Sequence, residues 1–275
     1  MEYGIKNVFR FYDAKDKQNR YYDYVHGNLR TWRLYSDVYH VPSFQIAVAS
    51  LTQASDVVIN LADPLDDTLV NISSYFTAGD DLYTEEFTDN AYLIYNRSKN
   101  LNTTLPEGVY YLKVTVGAVH YYSEVFAVTS LTGKLIVDYY HTNDVDTIDY
   151  TNGSNDQFVN KLIIDTKLSK PEYPYEEEGV EDGNGNFIAT FQRVFKKYRF
   201  TFYAPEYITD AVSLIPLHSN ITVVNDNGES TQESMTAIDF QVAGVEWNDT
   251  KGFAKIVCEF RTSAVVVTGC ADNIT

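Results

Sequence analysis

The sequence predicts a mostly β protein: a β-sandwich followed by a second antiparallel β domain that carries one short helix. Three observations lead there. The chain of 275 residues holds 23 tyrosines and 15 phenylalanines, and aromatic residues suit the pleated, half-buried surface of a strand. Short runs with period-two alternation recur between polar turns. One stretch, 205–216, has the spacing of an amphipathic helix. Hydrophobic residues make up 44% of the chain, which at this length suffices for two domains that each bury a core.

Residues 1–40 precede the regular pattern. In FRFYDAKDKQNRYYDYVHGNLRTWRLY (9–35) aromatics mix with charges at neither a strand nor a helix period. The segment is expected to form an aromatic arm or extended hairpin that lies against something else, this chain or a neighbour. Tyr21, Tyr22, Tyr24 and Trp32 are its candidate partner contacts, because Tyr and Trp are enriched at protein interfaces. The same rings suit a sugar-binding face, but no second polar constellation marks a sugar pocket.

Residues 41–129 form the expected sandwich. FQIAVASL (44–51), DVVINL (56–61), AYLIYN (91–96), VYYLKVTV (109–116) and YYSEVFAV (121–128) read as short strands. Tyr110, Leu112, Val114 and Val116 make one apolar face, and a short GAVH loop joins this strand to the next as an antiparallel hairpin. Strand number and spacing suggest a sandwich of immunoglobulin-like size. The acidic, turn-rich stretch 62–90 offers one weak strand at most. At Thr129–Gly133 the pattern restarts, which places a domain boundary there and a second domain at 130–275.

In that second domain KLIVDYY (134–140), FVNKLIIDTKL (158–168) and FKKYRFTFY (195–203) are expected strands, the last with Tyr198, Phe200 and Phe202 inward. In PEYITDAVSLIP (205–216), Ile208, Ala211, Val212 and Ile215 fall on one stripe. Pro205 and Glu206 suit the helix start, and Pro216 suits its end. The strand ITVVN follows, then the hairpin FQVAGVEW–NDTKG–FAKIVCEF and a last strand, SAVVVTG. Cys258 alternates with Ala254, Ile256 and Phe260 and reads as a core thiol, while Cys270 is expected to be free. Strands in series without βαβ alternation call for antiparallel sheets.

Charge and motifs narrow the function. A formal charge of −17 argues against nucleic acid as a partner, since phosphate binding needs clustered Lys and Arg. No apolar run is long enough to span a membrane. The start, MEYGIKNVFRFYDAKDKQNR, lacks the apolar stretch of a signal peptide. His26, His40, His120, His141 and His218 are scattered, and no nucleophile elbow or phosphate loop occurs. The most charged segment is YPYEEEGVEDGNGNF (173–187). Asp182, Asn184 and Asn186 imitate the first ligands of a calcium loop. Phe187 then stands where the turn needs Gly, and Arg193 where a bidentate Glu belongs. A run of exposed like charges does not separate two carboxyl pKa values as acid–base catalysis requires. The segment reads as a long hairpin with a solvated tip. No catalytic residue, cofactor or metal site is expected.

Two stretches carry a resemblance. LPEGVYYLKVTVGAVHYYSEVFAV (105–128) and KPEYPYEEEGVEDGNGNFIATFQRVFKKYRFTFYAPEYITDAVSLIPLH (170–218), with the later VEWNDTKGFAKIVCEF and VVVTGC, resemble structural virion proteins of tailed phages infecting gut Bacteroides-type bacteria, crAss-like phages among them. The likeness is strongest over 160–270 and rests on packing and turn motifs, so it carries over no catalytic residue. It implies a non-enzymatic tail, neck or baseplate subunit of the virion, assembled in the bacterial host cytoplasm, whose partners are other virion proteins and copies of itself. The alternative from another class is a carbohydrate- or receptor-binding surface module, and a third is a β-rich hydrolase using paired carboxylates.

Overall fold

The structure, a computed structural model, describes residues 2–3, 8–13, 34–48, 57–76, 82–87, 90–95, 101–143, 158–225, 233–248, 253–263 and 266–269. Among these residues the protein is mostly β, built from several antiparallel sheets and one short α-helix, α1 (Glu206–Ser213). Short 3-10 turns occur at Ser73–Tyr75 and Ile215–Leu217.

The first half contributes β1 (Glu2–Tyr3), β2 (Phe11–Tyr12), β3 (Leu34–Ser36), β4 (Phe44–Val48), β5 (Val57–Ala62) and β6 (Leu69–Asn71). It continues with β7 (Leu82–Phe87), β8 (Asn90–Tyr95), β9 (Gly108–Val116), β10 (Val119–Ser123) and β11 (Phe126–Val128). β9 is the organising strand. One edge pairs with β5, from Val57 opposite Val116 to Ala62 opposite Tyr111. The other edge is shared end to end, by β10 over Lys113–Val116 and by β11 over Gly108–Tyr110. Gly117, at φ 58°, makes the tight β9–β10 turn that a side chain would strain.

Between β10 and β11 the chain steps at Glu124–Val125, and Leu112 N–H loses its strand partner there. The Ser123 hydroxyl replaces it: Leu112 N–H donates to Ser123 Oγ at 2.7 Å, and Ser123 Oγ donates to the Glu124 carbonyl at 2.7 Å. A buried backbone donor is thereby satisfied. Outward from this step, β10 pairs with β2, and β11 pairs in parallel with β3.

Of the two supports expected for residues 1–40, this chain or a neighbour, the residues that the structure describes use this chain. Val8, Phe9, Phe11 and Leu34 are buried in this chain's own core and not displayed to a neighbour. The Phe9 ring meets those of Phe11, Phe44 and Phe126 at centroid distances of 5.4, 6.4 and 5.5 Å. The charges between these aromatics do not prevent burial. Arg10 lays its guanidinium over the Tyr207 ring at 4.4 Å, and Tyr12 donates from its hydroxyl to the buried Glu124 carboxylate. Tyr21, Tyr22, Tyr24 and Trp32 lie outside the described residues. The stretch 62–90 holds β6 and β7 as well as a 3-10 turn, more than one weak strand. β6 escaped sequence patterning because all three of its residues are exposed, so no apolar face marks it.

The second half contributes β12 (Leu135–Tyr140), β13 (Asn160–Ile164), β14 (Tyr175–Glu181), β15 (Phe187–Val194) and β16 (Lys197–Pro205). After α1 come β17 (Asn220–Asn225), β18 (Glu233–Thr236), β19 (Ile238–Asn248), β20 (Phe253–Arg261) and β21 (Val266–Gly269). They form three antiparallel sheets with strand orders β13-β12-β17-β18, β14-β15-β21 and β16-β20-β19. The helical stripe is buried as its spacing predicts: Ile208, Ala211, Val212 and Ile215 all face inward, where α1 packs on β16, β19 and β20. α1 is shorter than the predicted 205–216, and Pro216 belongs to the 3-10 turn that follows it. Ala254, Ile256, Cys258 and Phe260 are fully buried along one face of β20, and burial pushes the Cys258 thiol up to about 12. Buried side chains from both sides of Thr129–Gly133, among them Val128, Leu135 and Val137, belong to one contiguous cluster. Among the described residues no helix is long and apolar enough to cross a membrane.

Candidate functional site

The segment with the most charge in the sequence forms a hairpin, β14–β15, that has no buried side chain on either strand. Its register runs from Tyr175 opposite Val194 to Glu181 opposite Phe187, with an irregularity at Glu178/Gly179. Period-two alternation puts Tyr175, Glu177, Gly179 and Glu181 on one face of β14, and Glu176, Glu178 and Val180 on the other.

The root of the hairpin is an ion-pair cluster. Glu176 accepts from Arg193 at 2.6 Å across the ladder and from Arg261, at the end of β20, at 2.6 Å. Arg261 also donates to Asp239, which sits in the irregular start of β19 with φ 50°. Both guanidinium groups lie over the Phe195 ring, at 4.7 Å for Arg193 and 4.5 Å for Arg261. Hydrogen bonding and charge from Arg193, then charge from Arg261, hold the Glu176 carboxyl below its ordinary value. The cluster ties the hairpin to the sheet formed by β16, β20 and β19.

The shaft depends on Gly179. A Cβ there would lie 2.4 Å from the Ile188 carbonyl oxygen and 2.5 Å from the Phe187 ring, so the ring covers the space a side chain would fill. The tip is built by Asp182. Its carboxylate accepts from the backbone N–H groups of Asn184 and Asn186, both at 2.8 Å, and from the Asn186 side-chain amide at 3.0 Å. These bonds, led by the Asn186 side chain, hold the Asp182 carboxyl below its ordinary value. The three residues that imitate calcium ligands therefore bond to one another as a turn, with Gly185 at φ 82° completing it. Among the described residues no group of three His, Cys, Asp or Glu side chains is placed to hold a metal ion.

An open cleft of about 530 Å³ lies near the ends of β17, β18 and β19, lined by Tyr140, His218, Thr222, Thr236 and Asp239 among others. Two of its titratable groups, His218 and Asp239, are already engaged. His218 Nδ1 lies 3.0 Å from the Leu214 carbonyl and 3.2 Å from that of Ile215, and because carbonyls only accept, Nδ1 carries the proton. Burial lowers the His218 pKa below its ordinary value, and the ring packs edge-on to Tyr139 at 4.7 Å. Asp239 faces Arg261. A similar commitment holds for the buried Glu259: burial would raise its pKa, but hydrogen bonds from Lys197, Arg199 and Gln241 outweigh it.

Sequence reasoning singled out the acidic run but missed Arg193, Phe195, Asp239 and Arg261, which fix its position. Arg261 lies 85 residues from Glu176 along the chain, and no local spacing links them. The candidate aromatic contacts Tyr21, Tyr22, Tyr24 and Trp32 fall outside the described residues, so none is brought to this site. No protein-family model, no curated protein and no solved structure matches the chain.

Proposed function

We propose that this chain is a structural subunit of a tailed-phage virion, a tail, neck or baseplate component that docks other virion proteins and acts without catalysis. The observation that carries the docking role is the β14–β15 hairpin. It is exposed on both faces, apolar in part, and clamped at its root by Glu176, Arg193 and Arg261. A rigidly held surface loses less freedom on binding than a loose one, which is what a repeated assembly contact needs. The engagement of His218, Asp239 and Glu259 in structural pairs agrees with a non-catalytic role. The virion setting is supported by the resemblance over residues 105–128 and 170–218, and by the aromatic segment around Tyr21–Trp32.

Mass spectrometry of purified phage particles, together with native mass measurement of the recombinant chain, tests the reading. The expected result is this chain in intact particles in many copies and a defined oligomer or a complex with another virion protein. A chain absent from particles that binds a glycan array as an isolated subunit would overturn it.

A further inference from the structure

We infer that the open edge of β14 is a docking strand for an extended, basic segment of a partner protein, which adds alongside Tyr175–Glu181 as a further strand. This rests on the assembly reading above and names the chemistry of one contact within it.

The first observation is the edge itself. β15 pairs with β14 on one side and, over Phe191–Val194, with β21 on the other. Among the described residues β14 pairs with β15 alone, so its outer backbone N–H and C=O groups face no strand. Strand addition at such an edge supplies affinity through main-chain hydrogen bonds and specificity through alternate side chains.

The second is the apolar surface beside that edge. Val180 and Ile188 stand directly opposite each other and are 59% and 49% exposed. Phe187 is 55% exposed and Tyr175 54%. An edge that only had to avoid other chains would not display these groups, because exposed apolar edge strands invite pairing.

The third observation selects the occupant. Glu176 is neutralised by two arginines and Asp182 is occupied in the tip turn. Glu177, Glu178 and Glu181 make no ion pair among the described residues. Two copies of this edge side by side would set carboxylates against carboxylates, and like charges opposite one another on a sheet are destabilising. A strand bearing Lys or Arg gains from the same positions, and the chain's formal charge of −17 steers it in. Glu177 and Glu181 share a face with Tyr175, while Glu178 shares the other with Val180. The fitting segment therefore presents basic and apolar residues to both faces.

The test uses the full chain and a fluorescent Lys/Val peptide of about eight residues, enough to span β14. Its controls are a Glu/Val peptide of equal length and the Lys/Val peptide methylated on every backbone nitrogen. The Lys/Val peptide is expected to bind, to slow amide exchange at residues 175–181, and to bind roughly tenfold or more weakly to a Glu177→Lys, Glu178→Lys, Glu181→Lys variant. Both control peptides are expected not to bind. Should the triple variant fail to fold, Glu→Gln at the same positions serves, with the same loss expected. Binding that survives full methylation is electrostatic adsorption and overturns strand addition. Equal binding of the Glu/Val peptide, protection elsewhere in the chain, or no binding at all overturns the proposal as well. If the chain is found in particles while this test fails, the assembly reading stands and this contact falls. If the peptide binds but particles lack the chain, the contact stands and the virion setting falls.

Discussion

The closing hairpin β19–β20 and the acidic hairpin β14–β15 share a backbone plan and differ in what holds them. Both are antiparallel ladders with a register irregularity. β20 buries Ala254, Ile256, Cys258 and Phe260 completely, whereas β14 and β15 bury nothing. A two-stranded ladder by itself is marginal in water, so each must be supported from outside its own hydrogen bonds. For β19–β20 the support is β16 along the other edge of β20 and apolar area under α1. For β14–β15 it is β21 along half of one strand, and the Glu176–Arg193–Arg261 cluster at the root. One hairpin is held by solvent exclusion and the other by charges that remain near water. They should therefore fail under different conditions.

The largest effect is expected from core truncation. Phe260→Ala should cost about 3–5 kcal/mol, the usual range for emptying a buried aromatic site. Phe187→Ala should stay within about 0.5 kcal/mol, as for an exposed position. Urea denaturation of the two variants measures both, and equal losses would break the contrast.

Gly179→Ala comes next. The added carbon has no room beside the Ile188 carbonyl, so strand separation or displacement of Phe187 must follow, at roughly 1–3 kcal/mol as for other overpacked sites. Hydrogen exchange should quicken along β14–β15 while β19–β20 is unchanged. Uniform loss across both hairpins would mean that they unfold as one unit.

A smaller effect is expected from acid. Glu176 has a folded pKa below its unfolded value, so its contribution is present above the unfolded value and is lost as pH falls through the folded one. Amide exchange at the hairpin root should therefore rise on acidification below the ordinary carboxylate range. Glu176→Gln should flatten that dependence, and high salt should mimic part of it. The exchange of β20 amides should not follow Glu176.

The smallest effect concerns exposed acids that make no ion pair among the described residues, although Glu177 accepts an exposed cross-strand bond from the Gln192 amide at 3.0 Å. Replacing Glu177 and Glu178 by Ser should leave the melting temperature unchanged, and chelator should do the same because Asp182, Asn184 and Asn186 bond to one another. A melting temperature that falls with chelator would reveal a metal ligand in the loop.

What the sequence determined by itself is everything that a local period encodes. Alternation marked β16 and β20 and the faces they bury, because side chains on a strand point alternately and the core selects one set. In β9 it marked Leu112, Val114 and Val116 but not Tyr111, which is buried on the opposite face against Ala62 and Val125. The 3.6-residue stripe marked α1, and the Asp182–Asn186 run marked a turn, since those bonds close within five residues. Tertiary structure alone decided what depends on distant partners. Phe9 and Phe11 looked like an unsupported arm until β10 and Phe126 were brought beside them from more than 100 residues away. β6 has no buried face and exists only because β5 offers it an edge. Glu176 looked like one more solvated acid until the fold delivered Arg261 to it. Local patterns record which face of an element is buried, while the pairing of remote elements is set by closure of the whole core, and no short window of residues contains it.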